Sequence, residues 1–228
     1  MEKKEIKIIN RLIKKKISRM KKSIPKIVDP MKFGIHSKTH FKAQEFKELT
    51  LLRIIDISES AFVLYKKKKI IPALLLTRAS IETLSIFYYM YNEVDKVIKA
   101  EKINNNFITK LDRLLLGNKF DRSEENSFDP INIMDCIRIL DTVAKGTNKQ
   151  YDFLSEFCHP NEFGLLNGYS TMNKEKIYSE LDITHLEGKF PHYFGIKILL
   201  ICLEIYNKFY NNTDKMIKKL SILTKEEK

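Results

Sequence analysis

The stretch "IIPALLLTRASIETLSIFYYMY" at residues 70–91 constrains the fold most, because a helix of this sequence is apolar on nearly every side. Such a helix is either the core of a helical bundle or a membrane span. Arg78 and Glu82 interrupt it one helical turn apart, and charges are costly at membrane depth, so we predict a buried central helix and no membrane span. Only 7 glycines and 6 prolines occur in 228 residues, which favours long helices.

Apolar periodicity predicts the remaining helices at about 6–24, 40–68, 72–102, 104–116, 131–145, 148–159 and 190–220. Gly117 is expected to end the fourth of these seven segments as a left-handed cap. The helix at 40–68 is expected to bury Phe46, Leu49, Leu52, Ile55, Phe62 and Val63. Residues 160–191 are irregular, with "KIYSELDI" as a short strand or hairpin.

These segments predict an all-α fold, a single helical bundle over residues 31–228 with an irregular insertion before the last helix. A basic amphipathic helix and its connector, residues 1–30, precede the bundle and either pack alongside it or project from it.

The positive charge of the chain is concentrated at its N-terminus. Of the net charge of +12, residues 1–26 carry +9, with eleven Lys and Arg against two Glu. A face of this kind attracts phosphate backbones, acidic protein surfaces or anionic membrane surfaces. The candidate nucleic-acid-binding residues are Lys14, Lys15, Lys16, Arg19, Lys21 and Lys22.

Cysteine usage and the absence of known site motifs limit the compartment and the classes of site that we expect for this chain. The three cysteines are widely spaced and form no C-x-x-C, which predicts a reducing, cytoplasmic compartment. The sequence lacks phosphate-binding glycine loops and the hydrolase serine motif. "EFCH" at 156–159 has the Glu-x-x-His spacing of carboxylate-bridged metal sites, but so short a pattern arises easily by chance. We expect no metal and no cofactor.

The segment "YDFLSEFCHP" at residues 151–160 is the main candidate for a reaction centre. Tyr151, Ser155 and His159 follow at i, i+4 steps, so they share one face of a helix that Pro160 ends. A histidine at a helix C-terminus can exchange protons near neutral pH, which suits a general acid or base. The structural alternative is that His159 caps carbonyls while Ser155 and Tyr151 hydrogen-bond to neighbouring helices. Both interpretations stay open.

The charges in the central helix also have two interpretations. Arg78 and Glu82 either form an ion pair that cross-links helices, or Arg78 presents its guanidinium group to a phosphate or carboxylate while Glu82 holds it in place.

A family resemblance rests on two motifs. "TRASIETL" (77–84) followed by "YDFLSEFCHPN" (151–161) resembles a group of bacterial helical proteins with an Arg…Glu helix and a Tyr-x-x-Leu-Ser-x-x-x-His-Pro helix end. That group is distantly similar to the HEPN superfamily of helical bundles, found in toxin–antitoxin and phage-defence settings. Active HEPN members are dimeric, metal-independent endoribonucleases.

The resemblance implies roles for the candidate residues. His159 would act as acid or base toward the ribose 2′-hydroxyl, Arg78 would stabilise charge on the phosphate, and Glu82, Tyr151 and Ser155 would line the cleft. The chain departs from the family pattern, which places Arg four to six residues before His on one helix. Upstream of His159 no arginine follows Arg138, so Arg78 would have to come from a neighbouring helix.

Two hypotheses follow. The first is a defence- or toxin-associated protein that interacts with RNA, whether or not it is also an endoribonuclease, and that forms a homodimer if it follows the family. The second is a non-catalytic interaction module whose N-terminal helix binds an acidic protein partner.

Overall fold

The computed structural model describes residues 3–29, 37–120, 128–173 and 175–226. This described part is an all-α helical bundle, which confirms the predicted fold class. Its α-helices are α1 (Lys3–Lys22), α2 (Lys38–Lys66), α3 (Ile70–Ala100), α4 (Asn105–Leu116), α5 (Ile133–Asp141), α6 (Thr147–Cys158), α7 (Asn167–Tyr169) and α8 (Phe190–Glu226).

The irregular insertion predicted before the last helix is also confirmed. It contains a π-helix, Glu162–Leu166, and an antiparallel hairpin of β1 (Ser170–Asn173) and β2 (Tyr178–Leu181). In the hairpin Ser170 pairs with Leu181 and Asn173 with Tyr178.

The chain divides into two compact units. The first comprises Met1–Lys22, Ile54–Ile81 and Ala144–Glu204; the second comprises Ser23–Arg53, Glu82–Val143 and Ile205–Lys228. The domain boundary predicted at residue 30 falls in residues 30–36, which lie outside the described part, so it stays a prediction. Residues 121–127 also lie outside it.

In the first unit, α1 is held by its apolar stripe. Ile9, Ile13, Ile17 and Met20 recur on one side of the helix and are buried. An ion pair of 2.6 Å joins Lys21 to Glu59 of α2. Another of 2.8 Å joins Glu5 to Lys197 of α8. The basic helix therefore packs against its unit and does not project from it.

The second unit contains a charged network inside its core. The Lys47 ammonium lies 2.7 Å from the Glu48 carboxylate, 2.7 Å from Asp214 and 4.1 Å from the centroid of the Tyr210 ring. Lys47 and Glu48 are buried. The Tyr210 hydroxyl donates to Glu48 at 2.7 Å, and burial together with this hydrogen bond raises the pKa of Tyr210. Each buried charge thus has a partner of opposite sign, as the cost of desolvation requires.

The apolar face predicted for α2 is only partly correct. Phe46 and Ile55 are buried, but Leu49, Leu52 and Val63 are 49, 45 and 43% exposed. The buried side of the helix includes residues that the periodicity argument counted as polar, namely Lys47, Glu48, Thr50 and Ser58. The prediction failed because these polar groups have hydrogen-bond or ion-pair partners inside the fold, which makes their burial possible. The sequence pattern of one helix does not show those partners.

The prediction that Gly117 is a left-handed cap is wrong. Its backbone lies at φ −63° and ψ 121°, which any residue can adopt. Glycine is needed there because of close contact. A Cβ atom would lie 2.3 Å from the Arg113 carbonyl oxygen and 2.7 Å from the Cα of Pro130.

The central helix passes a simple test for a membrane span. Among the described helices, only Ile70–Ala100 is long and apolar enough to cross a bilayer, and 56% of its most apolar stretch is buried inside the protein. A core helix passes the same test, so length and composition alone are weak evidence for a span.

We expect Lys47→Met to lower the free energy of unfolding by about 3 kcal/mol, because it leaves the Glu48 carboxylate buried without its cation. Urea denaturation followed by circular dichroism measures this. Lys99→Met is the matched control, since Lys99 pairs with Asp95 at the exposed surface and should change the unfolding midpoint little. Equal shifts in the two variants would show that the buried network contributes no more than a surface pair.

Candidate functional site

The C-terminus of α6 is built as the sequence predicted. The helix ends at Cys158, and His159 follows with φ −90° and ψ 144°. Pro160 accounts for this, because a proline disfavours helical backbone at the residue before it. In the following turn, the Asn161 side chain accepts from the Gly164 amide at 3.0 Å and donates to Glu156 at 3.0 Å.

Three of the candidate catalytic residues meet in one cluster, which we call the Arg78 clasp (Arg78, Tyr151 and Ser155). The Arg78 Nε donates to the Ser155 hydroxyl at 3.0 Å, and one terminal guanidinium nitrogen donates to the Tyr151 hydroxyl. The centre of the guanidinium group lies 4.6 Å from the centroid of the Tyr151 ring. Ser155 in turn donates to the Tyr151 carbonyl at 2.8 Å. The clasp joins α3 to α6 by a cation–π contact and charge-assisted hydrogen bonds.

The other two candidates are Glu82 and His159. Glu82 is half-buried and lies one turn after Arg78 on α3, and its side chain has an interaction partner. His159 is exposed, and within the described residues its ring makes no hydrogen bond or ion pair. His159 is therefore not part of the clasp and its ring caps no carbonyl of the described residues, whereas its role as acid or base stays a prediction.

The cationic face of α1 is a second candidate site. Lys14, Lys15, Arg19, Lys21 and Lys22 are exposed, and Lys16 is half-buried. Only Lys21 of these six forms an ion pair with another residue of the described part, namely Glu59. Burial of the apolar stripe leaves the opposite side of the helix, with Lys14, Lys15, Arg19 and Lys22, exposed to solvent.

A groove that the sequence did not predict lies beside this face. It has a volume of about 830 Å³ and runs between α1 and the C-terminal half of α2. Ile17, Phe62 and Val63 supply its apolar surface. Its charged lining residues are Arg11, Lys14, Lys21, Lys22, Glu59 and Lys66. The groove divides the predicted binding residues, because Lys14, Lys21 and Lys22 line it and Lys15, Lys16 and Arg19 do not.

The sequence contains one signal that could have indicated the groove. The apolar block at 62–65, which contains Phe62 and Val63, is followed directly by the lysine run at 66–69, so apolar and basic side chains lie close together at the end of α2. The periodicity of the sequence predicted both residues in the core. In the structure, Val63 is 43% exposed.

The cysteines and the potential metal ligands of the described residues give no alternative centre. Burial raises the pKa of both Cys136 and Cys202 to about 12, so these thiols stay protonated at neutral pH. Cys158 is half-buried and donates to the Leu154 carbonyl at 3.3 Å. No group of three or more His, Cys, Asp or Glu in the described part of the chain is placed to hold a metal ion.

Removing a member of the clasp should cost stability. We expect Tyr151→Phe to lower the free energy of unfolding by about 1–2 kcal/mol, because a half-buried guanidinium donor loses its acceptor. His159→Ala should change stability little, since the ring is exposed. Thermal and urea unfolding of both variants measure this, and a larger loss from His159→Ala than from Tyr151→Phe would contradict the assignment.

Comparison of the chain with protein-family models, with curated proteins and with solved structures gives no match. The resemblance to the HEPN superfamily therefore stays a prediction from the two sequence motifs, and the geometry of α1 and of the α6 C-terminus is the basis for a functional proposal.

Proposed function

We propose that this protein binds RNA through the cationic face of α1. The observation that carries the proposal is the combination of a buried apolar stripe with exposed cations on the same helix. Lys14, Lys15, Arg19 and Lys22 form no ion pair within the described residues, so no intramolecular partner there competes with a phosphate group.

The chemistry of this face fits the nucleic-acid backbone. Lysine and arginine side chains on a helix neutralise phosphates and release counterions, which gives affinity independent of base sequence and sensitive to salt. From Lys14 to Lys22 the face extends about 12 Å along the helix axis. Because α1 is packed against its unit, these charges are held in place before RNA arrives, which lowers the entropy cost of binding.

The biological setting belongs to the same proposal. We infer a cytoplasmic protein with a role in defence or in a toxin system, on the strength of the resemblance carried by the "TRASIETL" and "YDFLSEFCHPN" motifs. This inference rests on the sequence motifs alone.

Endoribonuclease activity at His159 is a second candidate function. It is favoured by the exposure of the ring at a helix end, where it can reach an RNA strand in solvent. An imidazole in this position can take a proton from a ribose 2′-hydroxyl or return one to the leaving oxygen. The role of Arg78 toward the phosphate stays a prediction, because its Nε and one terminal nitrogen already donate to Ser155 and Tyr151.

We expect the affinity for a single-stranded RNA of about 20 nucleotides to fall as the salt concentration rises. In a plot of log K against log salt concentration, the double variant Lys15→Glu/Arg19→Glu should have a slope smaller in magnitude by about 1.4, because each lost phosphate contact contributes about 0.7. Fluorescence anisotropy across a salt series measures this.

The matched control is Lys218→Glu/Lys219→Glu, which makes the same change of charge on exposed residues of α8. If both double variants weaken binding equally, the net charge of the protein and not the face of α1 determines affinity, and the proposal is wrong.

For the second candidate function, we expect total RNA incubated with the protein in excess EDTA to be cleaved by the wild type and not by His159→Ala. Cleavage should persist in His185→Ala, which removes another histidine of the same unit. Intact RNA with the wild type, or equal cleavage by all three proteins, would exclude His159 as the catalytic residue.

A further inference from the structure

We propose that the groove between α1 and α2 is a docking site for a partner protein, which inserts an amphipathic helix with acidic residues flanking its apolar stripe. This goes beyond RNA binding, since the apolar surface of the groove has no use in contacts with a phosphate backbone. The proposal rests on the dimensions, the apolar floor and the charge of the groove.

The dimensions suit a helix. On the α1 side the lining runs from Asn10 to Lys22, which is about 18 Å or three helical turns. On the α2 side it runs from Glu59 to Lys66, about 10 Å. A third helix laid along two packed helices places side chains at i, i+3, i+4 and i+7 into the space between them.

The floor supplies the apolar surface that such a helix would cover. Ile17 lies at the bottom and is buried, Phe62 is half-buried, and Val63 is 43% exposed. Val63 and Phe62 are neighbours on α2 and face a space that the described residues leave open. A partner that covered them would gain hydrophobic free energy in proportion to the area removed from water.

The charge of the groove favours an acidic partner. Five cations line the groove (Arg11, Lys14, Lys21, Lys22 and Lys66) against one carboxylate, that of Glu59. Glu59 is already neutralised by Lys21 at 2.6 Å. The surplus of four positive charges repels basic helices and attracts Asp and Glu on the flanks of an incoming one. Complementary rim charges of this kind set the association rate and the choice of partner.

The groove shares part of the cationic face that is proposed to bind RNA. Lys14 and Lys22 line the groove, whereas Lys15 and Arg19 lie on the same helix outside it. An acidic helix in the groove would cover Lys14 and Lys22 and so weaken RNA binding to α1. Docking and RNA binding are therefore predicted to compete.

The experiment uses the full chain and a synthetic peptide of about 18 residues, with leucines at helical spacing and glutamates on the flanks. A scrambled peptide of the same composition is the first control. Binding is measured by fluorescence anisotropy, and the single-stranded RNA of about 20 nucleotides described above is the second probe.

Three variants test the apolar floor of the groove and the cations that line it. Val63→Asn removes apolar surface at an exposed position without a change of charge. Lys14→Glu/Lys22→Glu and Lys15→Glu/Arg19→Glu change the charge equally, but only the first pair lines the groove.

We expect the patterned peptide to bind and the scrambled one to bind at least about tenfold more weakly. Val63→Asn should weaken peptide binding about fivefold and leave RNA binding unchanged. The groove pair of reversals should weaken peptide binding by more than about tenfold, and the outer pair by less than about threefold.

Several results would overturn the proposal. One is no peptide binding at about 100 µM, and another is equal loss of peptide binding from the two pairs of reversals. If Val63→Asn weakened RNA binding as much as peptide binding, the groove would be a nucleic-acid site. If the wild-type chain self-associated in analytical ultracentrifugation and the Val63→Asn variant did not, the occupant would be a second copy of the chain. Since RNA is measured separately, failure of peptide docking leaves the RNA proposal standing, and the reverse also holds.

Discussion

Burial of one apolar stripe on α1 determines what this protein presents to its surroundings. Ile9, Ile13, Ile17 and Met20 are inside the first unit, and the helix can bury them only by turning its lysines and arginines outward. The hydrophobic effect thus fixes the direction of an electrostatic surface. It also creates the groove, because α1 rests on its stripe and leaves space toward the end of α2. RNA binding and helix docking both depend on this arrangement.

Polar groups inside the fold serve a different purpose from those on α1. The long helices are apolar on several sides and could pack in more than one rotation, whereas a buried hydrogen bond or ion pair is satisfied in only one. The Arg78 clasp specifies how α3 meets α6 in the first unit. In the second unit, the pairing of Lys47 with Glu48 and Asp214 does the same for the helices that carry them. Among the motif residues, Tyr151 and Ser155 therefore hold the Arg78 side chain, whereas His159 lies at the surface.

The sequence predicted most of the helices and a strand that matches β2, because periodicity and proline act locally. The end of α6 at His159–Pro160 is an example, since one peptide unit determines it. The exposed side of α2 was missed because burial of Lys47 depends on Asp214, far away in the sequence. The groove was missed for a related reason: a space between two helices is a property of their packing and is not encoded in the pattern of either one. The approach of Arg78 to the Tyr151–Ser155 face was implied only by the family resemblance, because sequence spacing within one helix cannot show a contact with another, and its geometry could not be predicted.

The most direct test of the central claim is lysine footprinting of the free and the RNA-bound protein by acetylation and mass spectrometry. The account predicts that RNA lowers the reactivity of Lys14, Lys15 and Lys22, while exposed lysines of α8 such as Lys218 and Lys219 react as before. Unchanged reactivity along α1, or protection mainly on α8, would contradict the claim that the cationic face of α1 is where RNA binds.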